Sequence, residues 1–264
     1  MKIIPLSEGS FTIDHTKVFV PFDTEKDDLQ QRPRGSLLVE IQPFLIETSR
    51  DLILLDAGLG FSKNGVLQIL ENVTKAGYTP HEVTKVLMSH LHRDHAGGLT
   101  YVDAVTGQRQ LCFPHAFHYV HRQELSFALE MGNKSYERDY IAILEGNDRV
   151  VLLEDEGMID GYIRHQFSGG HSPFHQVFWL EEKGETIFFG GDEAPQLQQM
   201  LTRFVAKYDH DGKRAMELRQ RWWELGKQEK WKFLFYHDIK SPFALCIWKC
   251  LTFSNPRDIF WGFI

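Results

Sequence analysis

Three histidines and one aspartate fall within six consecutive residues of this sequence, after a short apolar run and before a pair of glycines: His90, His92, Asp94 and His95. Neutral imidazoles and carboxylates are the ligands that a divalent cation such as Zn²⁺ prefers. So many polar groups in one short segment would be costly to bury without a cation to bind. The segment therefore predicts a metal site on a connection between a strand and a helix.

The spacing within this segment predicts how its side chains divide. His90 and His92 are two residues apart, and alternate side chains of an extended chain project to the same side, so both can bind one ion. Asp94 and His95 come after the turn begins and can reach a second point nearby. The glycine pair at 97–98 lets the chain turn closely after the site.

Three later residues offer further ligands, each shortly after a predicted strand and beside small residues: His171, Asp192 and His237. Polar side chains at strand ends are where open α/β and layered folds place their sites. We therefore expect seven ligands from four segments to meet at one centre.

Other histidines give weaker signals. Pro173 argues against a helical zinc pair between His171 and His175, so His175 is expected to be structural. The series His115, His118 and His121 has a spacing of three, which in a strand sends neighbours to opposite faces, and predicts surface or packing residues.

The elements that must position these residues are short strands with helices between them. Strands are predicted over residues 10–13, 36–41, 44–47, 52–55, 85–89, 110–114, 117–121, 162–167, 176–180, 186–189 and 232–236. Helices are predicted over 64–76, 124–144, 196–206 and 214–229, and a capping box at 79–82 predicts a further short helix. This mixture indicates one layered α/β or α+β domain over residues 1–264.

The composition favours an enzyme of small molecules. The chain has 264 residues, of which 42% are hydrophobic, and a formal net charge of −7, which disfavours a surface for nucleic acid. Its three cysteines, an odd number, favour a reducing compartment, and Cys246 and Cys250 are expected to be packing residues. No apolar run has the length of a signal peptide or of a membrane span, about 20 residues. We expect a cytoplasmic protein with no membrane or nucleic-acid partner.

Two segments do not follow the pattern of strands and helices. Residues 21–35 are charged, bounded by prolines and without periodicity, which predicts a surface loop, with an active-site lid or an oligomer arm as alternatives. The C-terminal segment 240–264 ends in an aromatic tail that must pack on its own domain or on another subunit. These two segments make a homodimer a possible assembly.

Four motifs in this order resemble the metallo-β-lactamase superfamily: H-L-H-R-D-H at 90–95, G-H-S-P at 170–173, G-D at 191–192 and Y-H-D at 236–238. The resemblance implies an α+β fold, a four-layer αβ/βα sandwich. It implies that His90, His92 and His171 hold one metal ion, that Asp94, His95 and His237 hold the other, and that Asp192 bridges them. The expected cofactors are two divalent ions, with zinc as first choice and iron, manganese or cobalt as alternatives. The L-L-D-A-G motif at 54–58 also resembles the family, in which Asp56 would support the ligands.

The resemblance extends to function and is strongest with the N-acyl-homoserine lactonases and organophosphate hydrolases. It implies a bridging hydroxide that attacks the carbonyl of a lactone or carboxylic ester, with Asp94 orienting it and passing a proton to the leaving group. Pro195 stands where those lactonases commonly have a tyrosine that contacts the substrate. The alternatives are a thioester hydrolase of the glyoxalase II type, a phosphoester or phosphotriester hydrolase, and a metal or redox module without hydrolysis.

Overall fold

The computed structural model describes residues 1–132 and 135–245, together with the backbone of residues 252–253. The chain divides into two compact units, Met1–Glu154 (unit 1) and Asp155–Ile264 (unit 2). Cys246, Cys250 and most of the predicted aromatic tail lie outside the described residues. The single domain expected over residues 1–264 stays a prediction.

Unit 1 is built from short strands and four described α-helices. The strands are β1 (Lys2–Pro5), β2 (Gly9–Ile13), β3 (Val20–Pro21), β4 (Leu37–Ile41), β5 (Phe44–Glu47), β6 (Leu52–Leu55), β7 (Ser62–Lys63), β8 (Val66–Leu67), β9 (Lys85–Leu87), β10 (Thr100–Val102), β11 (Arg109–Leu111), β12 (Phe117–His121) and β13 (Val150–Leu153). The helices are α1 (Gln68–Lys75), α2 (Arg93–Ala96), α3 (Arg122–Met131) and α4 (Arg138–Ile141), with 3-10 turns at Leu29–Gln31, Gly97–Leu99 and Ala142–Leu144.

The main sheet of unit 1 has the strand order β1-β5-β6-β9-β12-β13. Strands β6, β9, β12 and β13 run parallel, and β1, β5 and β6 are antiparallel. Strands β6 and β9 are buried along their whole length, which explains the unbroken apolar sequence of β6. Because parallel strands end at one edge, Asp56 after β6 and the His90–His95 segment after β9 share that edge.

Unit 2 contains one seven-stranded sheet in chain order. Its strands are β14 (Glu156–Ile159), β15 (Ile163–Phe167), β16 (Gln176–Glu182), β17 (Glu185–Phe189), β18 (Lys232–Leu234), β19 (Phe243–Leu245) and β20 (Thr252–Phe253). The pair β17–β18 is parallel and the others are antiparallel. Helices α5 (Leu197–Leu201) and α6 (Gly212–Glu229) lie between β17 and β18 in the chain, after a 3-10 turn at Gly191–Glu193.

Aromatic rings fill the core of unit 2. Phe188 of β17 packs against Trp222 of α6 and Phe233 of β18, with ring centroids 5.0 and 5.3 Å apart. Trp179 and Trp231 belong to the same buried cluster. This packing fixes helix α6 against β17 and β18, and the parallel ends of these two strands place Asp192 and His237 at one edge of the sheet.

Two of the helix predictions in unit 1 fail at turns. The helix expected over 64–76 begins only at Gln68, because Asn64 and Gly65 both have positive φ, 53° and 79°, and form the turn of the β7–β8 hairpin. The short helix expected at 79–82 is wrong. Glu82 accepts hydrogen bonds from the Thr79 backbone N and Oγ1, at 2.7 and 2.9 Å, but within an isolated turn.

Two longer helix predictions overestimate the extent of the helix. Helix α3 ends at Met131, because Gly132 takes a left-handed conformation with φ of 46°, and α4 starts only at Arg138. Helix α5 covers five residues of the range expected over 196–206, since Thr202 is already extended. Helix α6 and the mainly exposed segment 21–35 agree with the prediction.

Among the residues that the structure describes, no helix is both long enough and apolar enough to span a membrane.

Candidate metal centre

The loop after β9 brings the imidazoles of unit 1 together. His90 Nε2 lies 2.9 Å from His92 Nδ1, and the rings of His90 and His95 have centroids 4.2 Å apart. His90 and His95 are buried, whereas His92 and Asp94 are partly exposed. Asp94 Oδ2 lies 3.9 Å from His95 Nε2. The four predicted ligands of this segment therefore form one cluster, with Asp94 towards solvent.

Asp56 supports this cluster through a contact with His95. Its carboxylate is fully buried, and Oδ2 lies 2.6 Å from His95 Nδ1. Ser89 donates to it twice, from the backbone N to Oδ1 at 2.7 Å and from Oγ to Oδ2 at 2.6 Å. Burial raises the pKa of Asp56, and the contacts with His95 and Ser89 oppose that shift. Because Nδ1 of His95 is used here, Nε2 is the nitrogen left to bind a metal.

The glycine pair at 97–98 serves a close approach of two chain segments. A Cβ on Gly97 would lie 2.1 Å from the carbonyl oxygen of Leu59, and one on Gly98 would lie 2.0 Å from that of Ala57. The φ of Gly97 is −62°, so the turn itself does not require glycine there. Because glycine has no side chain, the backbone of residues 57–59 can pack directly against the end of the histidine loop.

Glu124 is a support that the sequence analysis did not find. It lies in the first turn of α3, is 1% exposed, and its Oε1 accepts a hydrogen bond from the Leu91 backbone N at 2.9 Å. Leu91 stands between His90 and His92, so this contact fixes the loop where it carries the first two ligands. No spacing pattern links a glutamate on a later helix to the histidine motif.

In unit 2 a single carboxylate joins two histidines. Asp192 Oδ2 lies 3.2 Å from His171 Nε2, and Asp192 Oδ1 lies 3.0 Å from His237 Nε2. All three residues are buried, at 6 to 8% exposure. They come from the segments after β15, β17 and β18, as the sequence predicted. A carboxylate with one oxygen on each side is the arrangement that can bind two ions at once.

These distances allow a test of whether the residues fit a metal ion. Two ligands at about 2.0 to 2.1 Å from a tetrahedral Zn²⁺ are about 3.3 Å apart. The separations in unit 2, 3.0 and 3.2 Å, and the 2.9 Å between the nitrogens of His90 and His92 are close to this value. These three pairs therefore fit divalent ions in donor type and in spacing.

Three residues with buried side chains support the ligands of unit 2, and the sequence pointed to only one of them, His175. Asp209 Oδ1 lies 2.9 Å from His171 Nδ1, which leaves Nε2 of that ring towards Asp192. Glu193 Oε1 accepts hydrogen bonds from the backbone N of His171, at 3.0 Å, and of Gly170. His175 Nε2 accepts from the backbone N of Asp192 at 3.2 Å, which makes this histidine structural, as predicted.

The charges around His171 act in opposite directions. Burial lowers its pKa, but the carboxylates of Asp192 and Asp209 outweigh burial and raise it. Asp209 lies between α5 and α6, and no motif in the sequence marks it. Glu193 follows Asp192 directly and could have been suspected from the G-G-D-E motif.

Two tyrosines in unit 2 differ in exposure. Tyr236 is buried, with its ring centroid 5.0 Å from that of His237. Tyr208 is 41% exposed, its ring centroid lies 6.1 Å from that of His171, and its hydroxyl accepts a hydrogen bond from Gln199 Nε2 at 3.3 Å. Desolvation raises the pKa of Tyr208 to about 12, so its hydroxyl keeps its proton at neutral pH. Pro195 has no side-chain hydroxyl, and its carbonyl oxygen accepts a hydrogen bond from the backbone N of His237 at 3.0 Å.

Most of these motifs lie in a part of the chain that matches a known protein family. The sequence model of the metallo-beta-lactamase superfamily matches residues 40–229. This chain belongs to the metallo-beta-lactamase superfamily. The matched range contains the His90–His95 segment, His171 and Asp192, and His237 lies beyond it.

Individual proteins that are similar to this chain agree with the resemblance. N-acyl homoserine lactonase AiiA from Bacillus thuringiensis subsp. kurstaki is 26% identical over 260 residues, which cover 91% of this chain and 94% of that protein. The crystal structure of a probable metal-dependent hydrolase from Staphylococcus aureus has a TM-score of 0.77 at 23% identity and covers 96% of both chains. The dizinc quorum-quenching lactonase AidC has a TM-score of 0.70 at 18% identity, over 99% of this chain and 95% of that one.

These comparisons confirm the predicted superfamily and the α+β fold class. The chain is a metal-dependent hydrolase of the metallo-beta-lactamase superfamily.

Proposed function

We propose that this protein is a dinuclear metal-dependent hydrolase that cleaves lactones or carboxylic esters. The observation that carries the proposal is the carboxylate of Asp192, which has one oxygen 3.2 Å from a nitrogen of His171 and the other 3.0 Å from a nitrogen of His237. A carboxylate so placed has a donor atom for each of two ions. The relatives at 26% identity are N-acyl homoserine lactonases, and the structural relative AidC is described as a dizinc lactonase.

We assign the seven predicted ligands to two divalent ions as the family resemblance implies. His90, His92 and His171 would hold one ion, Asp94, His95 and His237 would hold the other, and Asp192 would contribute to both. Zinc is the first choice, because imidazole and carboxylate suit it, and iron, manganese or cobalt are accepted by the same donors.

Asp94 is the proposed catalytic residue. Two bound ions would lower the pKa of a shared water towards about 7 and polarise the carbonyl oxygen of the substrate. The side chain of Asp94 is 15% exposed, so solvent reaches part of it, and it lies beside buried His95. A carboxylate in this position can orient the attacking water through a hydrogen bond, accept a proton and pass it to the alkoxide that leaves.

The remaining residues of the proposed site keep these groups in place. Asp56 and Asp209 each hold the Nδ1 side of one histidine, His95 and His171, so that Nε2 is directed to the ion. Tyr208 offers a protonated, partly exposed hydroxyl on the unit 2 side, where Pro195 cannot donate. We propose that Tyr208 contacts an oxygen of the substrate in place of the tyrosine that the lactonases commonly have.

A substrate panel tests the proposed reaction. Purified protein loaded in turn with zinc, manganese, iron and cobalt is assayed on acyl lactones, aryl esters, thioesters and phosphotriesters. We expect the highest kcat/KM on a lactone or an ester. A highest value on a thioester or a phosphotriester would assign the protein to one of the alternative hydrolase classes, and no turnover of any of the four would contradict hydrolysis.

A further inference from the structure

Helix α6 carries an arginine that is completely buried. Arg219 has 0% exposure and is among the largest fully buried side chains of the described residues. A guanidinium group stays charged in a protein, and burying it is costly unless hydrogen bonds and negative charges compensate. What Arg219 contacts therefore indicates why it is there.

The guanidinium group joins two segments of backbone that support the metal ligands. Its Nη1 donates to the carbonyl oxygen of Glu193 at 2.9 Å, and its Nη2 donates to that of Phe204 at 2.7 Å. Glu193 directly follows Asp192. Phe204 begins the segment that leads to Asp209. The planar fork of an arginine can hold both carbonyl oxygens in one fixed geometry.

Two carboxyl groups with buried side chains lie near enough to this arginine to attract it electrostatically. Glu193 is 0% exposed and the side chain of Asp209 is 1% exposed, and both attract the guanidinium group electrostatically. Both also hold His171, Glu193 through the backbone N and Asp209 through Nδ1. Without a cation near them, two buried carboxylates next to Asp192 would repel one another. Arg219 thus compensates the charges of the groups that orient His171.

We propose that Arg219 is a positioning residue of the metal centre, which holds the backbone at Glu193 and Phe204, attracts the carboxyl groups of Glu193 and Asp209, and thereby keeps His171 and Asp192 directed towards their ion. This inference rests on the proposed function, because it assumes that these two residues bind metal. Arg219 itself is not a ligand and does not contact the reacting atoms. It acts on the centre through the residues that it holds.

The test compares variants of helix α6 in metal affinity, measured by competition between the protein and a chelator. Arg219→Met removes the charge and both hydrogen bonds, and Arg219→Lys keeps the charge but loses the fork. Loss of a group that supports metal ligands typically lowers metal affinity 10- to 100-fold. We expect a loss of that size for Arg219→Met and a smaller loss for Arg219→Lys. Arg221→Met, at an exposed position of the same helix, should keep the affinity of the wild type.

A second control separates positioning from general stability. Trp222→Phe loosens the aromatic packing of α6 without touching the contacts of Arg219, so it should lower the melting temperature and leave the metal affinity unchanged. The inference would be overturned by an Arg219→Lys variant that folds and binds metal as tightly as Trp222→Phe. This outcome decides the question even if Arg219→Met does not fold. If the wild-type protein binds no metal, the proposed function fails as well. If the wild type binds two ions and the Arg219 variants do too, with unchanged affinity, only the role of Arg219 fails.

Discussion

The two halves of the proposed metal centre are built in different ways. Unit 1 supplies its ligands from one loop of six residues, His90–His95, which follows a single buried strand. Unit 2 supplies His171, Asp192 and His237 from three separate strand ends. In the first half the ligands follow one another along one loop, whereas in the second half the sheet that contains the three strands brings the ligands together.

The residues that support the ligands also differ between the two units in where they come from along the chain. In unit 1 the fully buried Asp56 and Ser89 lie at the ends of adjacent parallel strands, so a single sheet edge holds His95. In unit 2 Asp209, Glu193 and Arg219 come from a loop, a turn and a helix that meet only in the folded unit. The comparison indicates that a compact motif and a dispersed set of residues can provide equivalent ligands, but the dispersed set needs more buried charge to hold it.

The largest expected effect concerns Asp94, the proposed catalytic residue in the unit 1 loop. Asp94→Asn removes the group that accepts and returns a proton, and such groups contribute about 10²- to 10⁴-fold to rate. We expect kcat on the best substrate to fall by that factor, with an unchanged circular dichroism spectrum. Glu130→Gln, an exposed carboxylate on α3 of the same unit, is the control and should keep full activity. A kcat of Asp94→Asn equal to that of Glu130→Gln would reject the catalytic role.

An intermediate effect is expected when the carboxylate behind a histidine is removed in either half. Asp56→Asn and Asp209→Asn each weaken the orientation of one imidazole, and we expect a 10- to 100-fold loss of metal affinity for each. Isothermal titration of the metal-free variants with zinc measures it. Asp148→Asn in unit 1 and Glu217→Gln in unit 2 are exposed controls. If only one of the two variants lost affinity, the two halves would not be equivalent parts of one centre.

The smallest expected effect is on stability, at a buried histidine outside the ligand set. Desolvation lowers the pKa of His118 in β12 to about 4, against weaker hydrogen-bonding contributions from Arg149 and Ala116. The unfolded chain therefore binds the proton more tightly, and stability is present above about pH 6.5 and lost as the pH falls towards 4. We expect His118 to lower the free energy of unfolding by about 2 kcal/mol between pH 7 and pH 5.

Denaturant unfolding of metal-free protein at these two pH values tests this contribution. His118→Leu should lose less stability than the wild type on going from pH 7 to pH 5, whereas His115→Leu, at an exposed position, should behave as the wild type. An equal loss in wild type and His118→Leu would show that His118 does not titrate in this range, and the acid sensitivity of unit 1 would have to come from other groups.

The sequence predicted best what is local. Strands β5, β6 and β12 have the predicted bounds, because β5 and β6 are almost entirely apolar and β12 contains the aromatic and β-branched residues Phe117, Tyr119 and Val120. The His90–His95 motif was also predicted, because its four ligands lie within six consecutive residues. The hairpin turn at Asn64-Gly65 was missed, because apolar residues with helical spacing begin directly after it, at Val66. The left-handed Gly132 was missed, because it lies inside a segment with an amphipathic helical pattern.

The supporting residues could not be predicted in the same way. Glu124, Asp209 and Arg219 each act on a ligand through contacts that form only after distant segments pack together. An arginine in an amphipathic helix has the sequence signature of an exposed residue, and nothing in its neighbours indicates 0% exposure. Asp56 was predicted only because its motif resembles the family, and the structure confirms its contact with His95.

The metal content of the purified, fully active protein shows whether both halves of the ligand set hold one pair of ions. Elemental analysis after removal of loosely bound metal should give two divalent ions per chain. One ion or none per chain, with activity retained, would contradict the dinuclear centre.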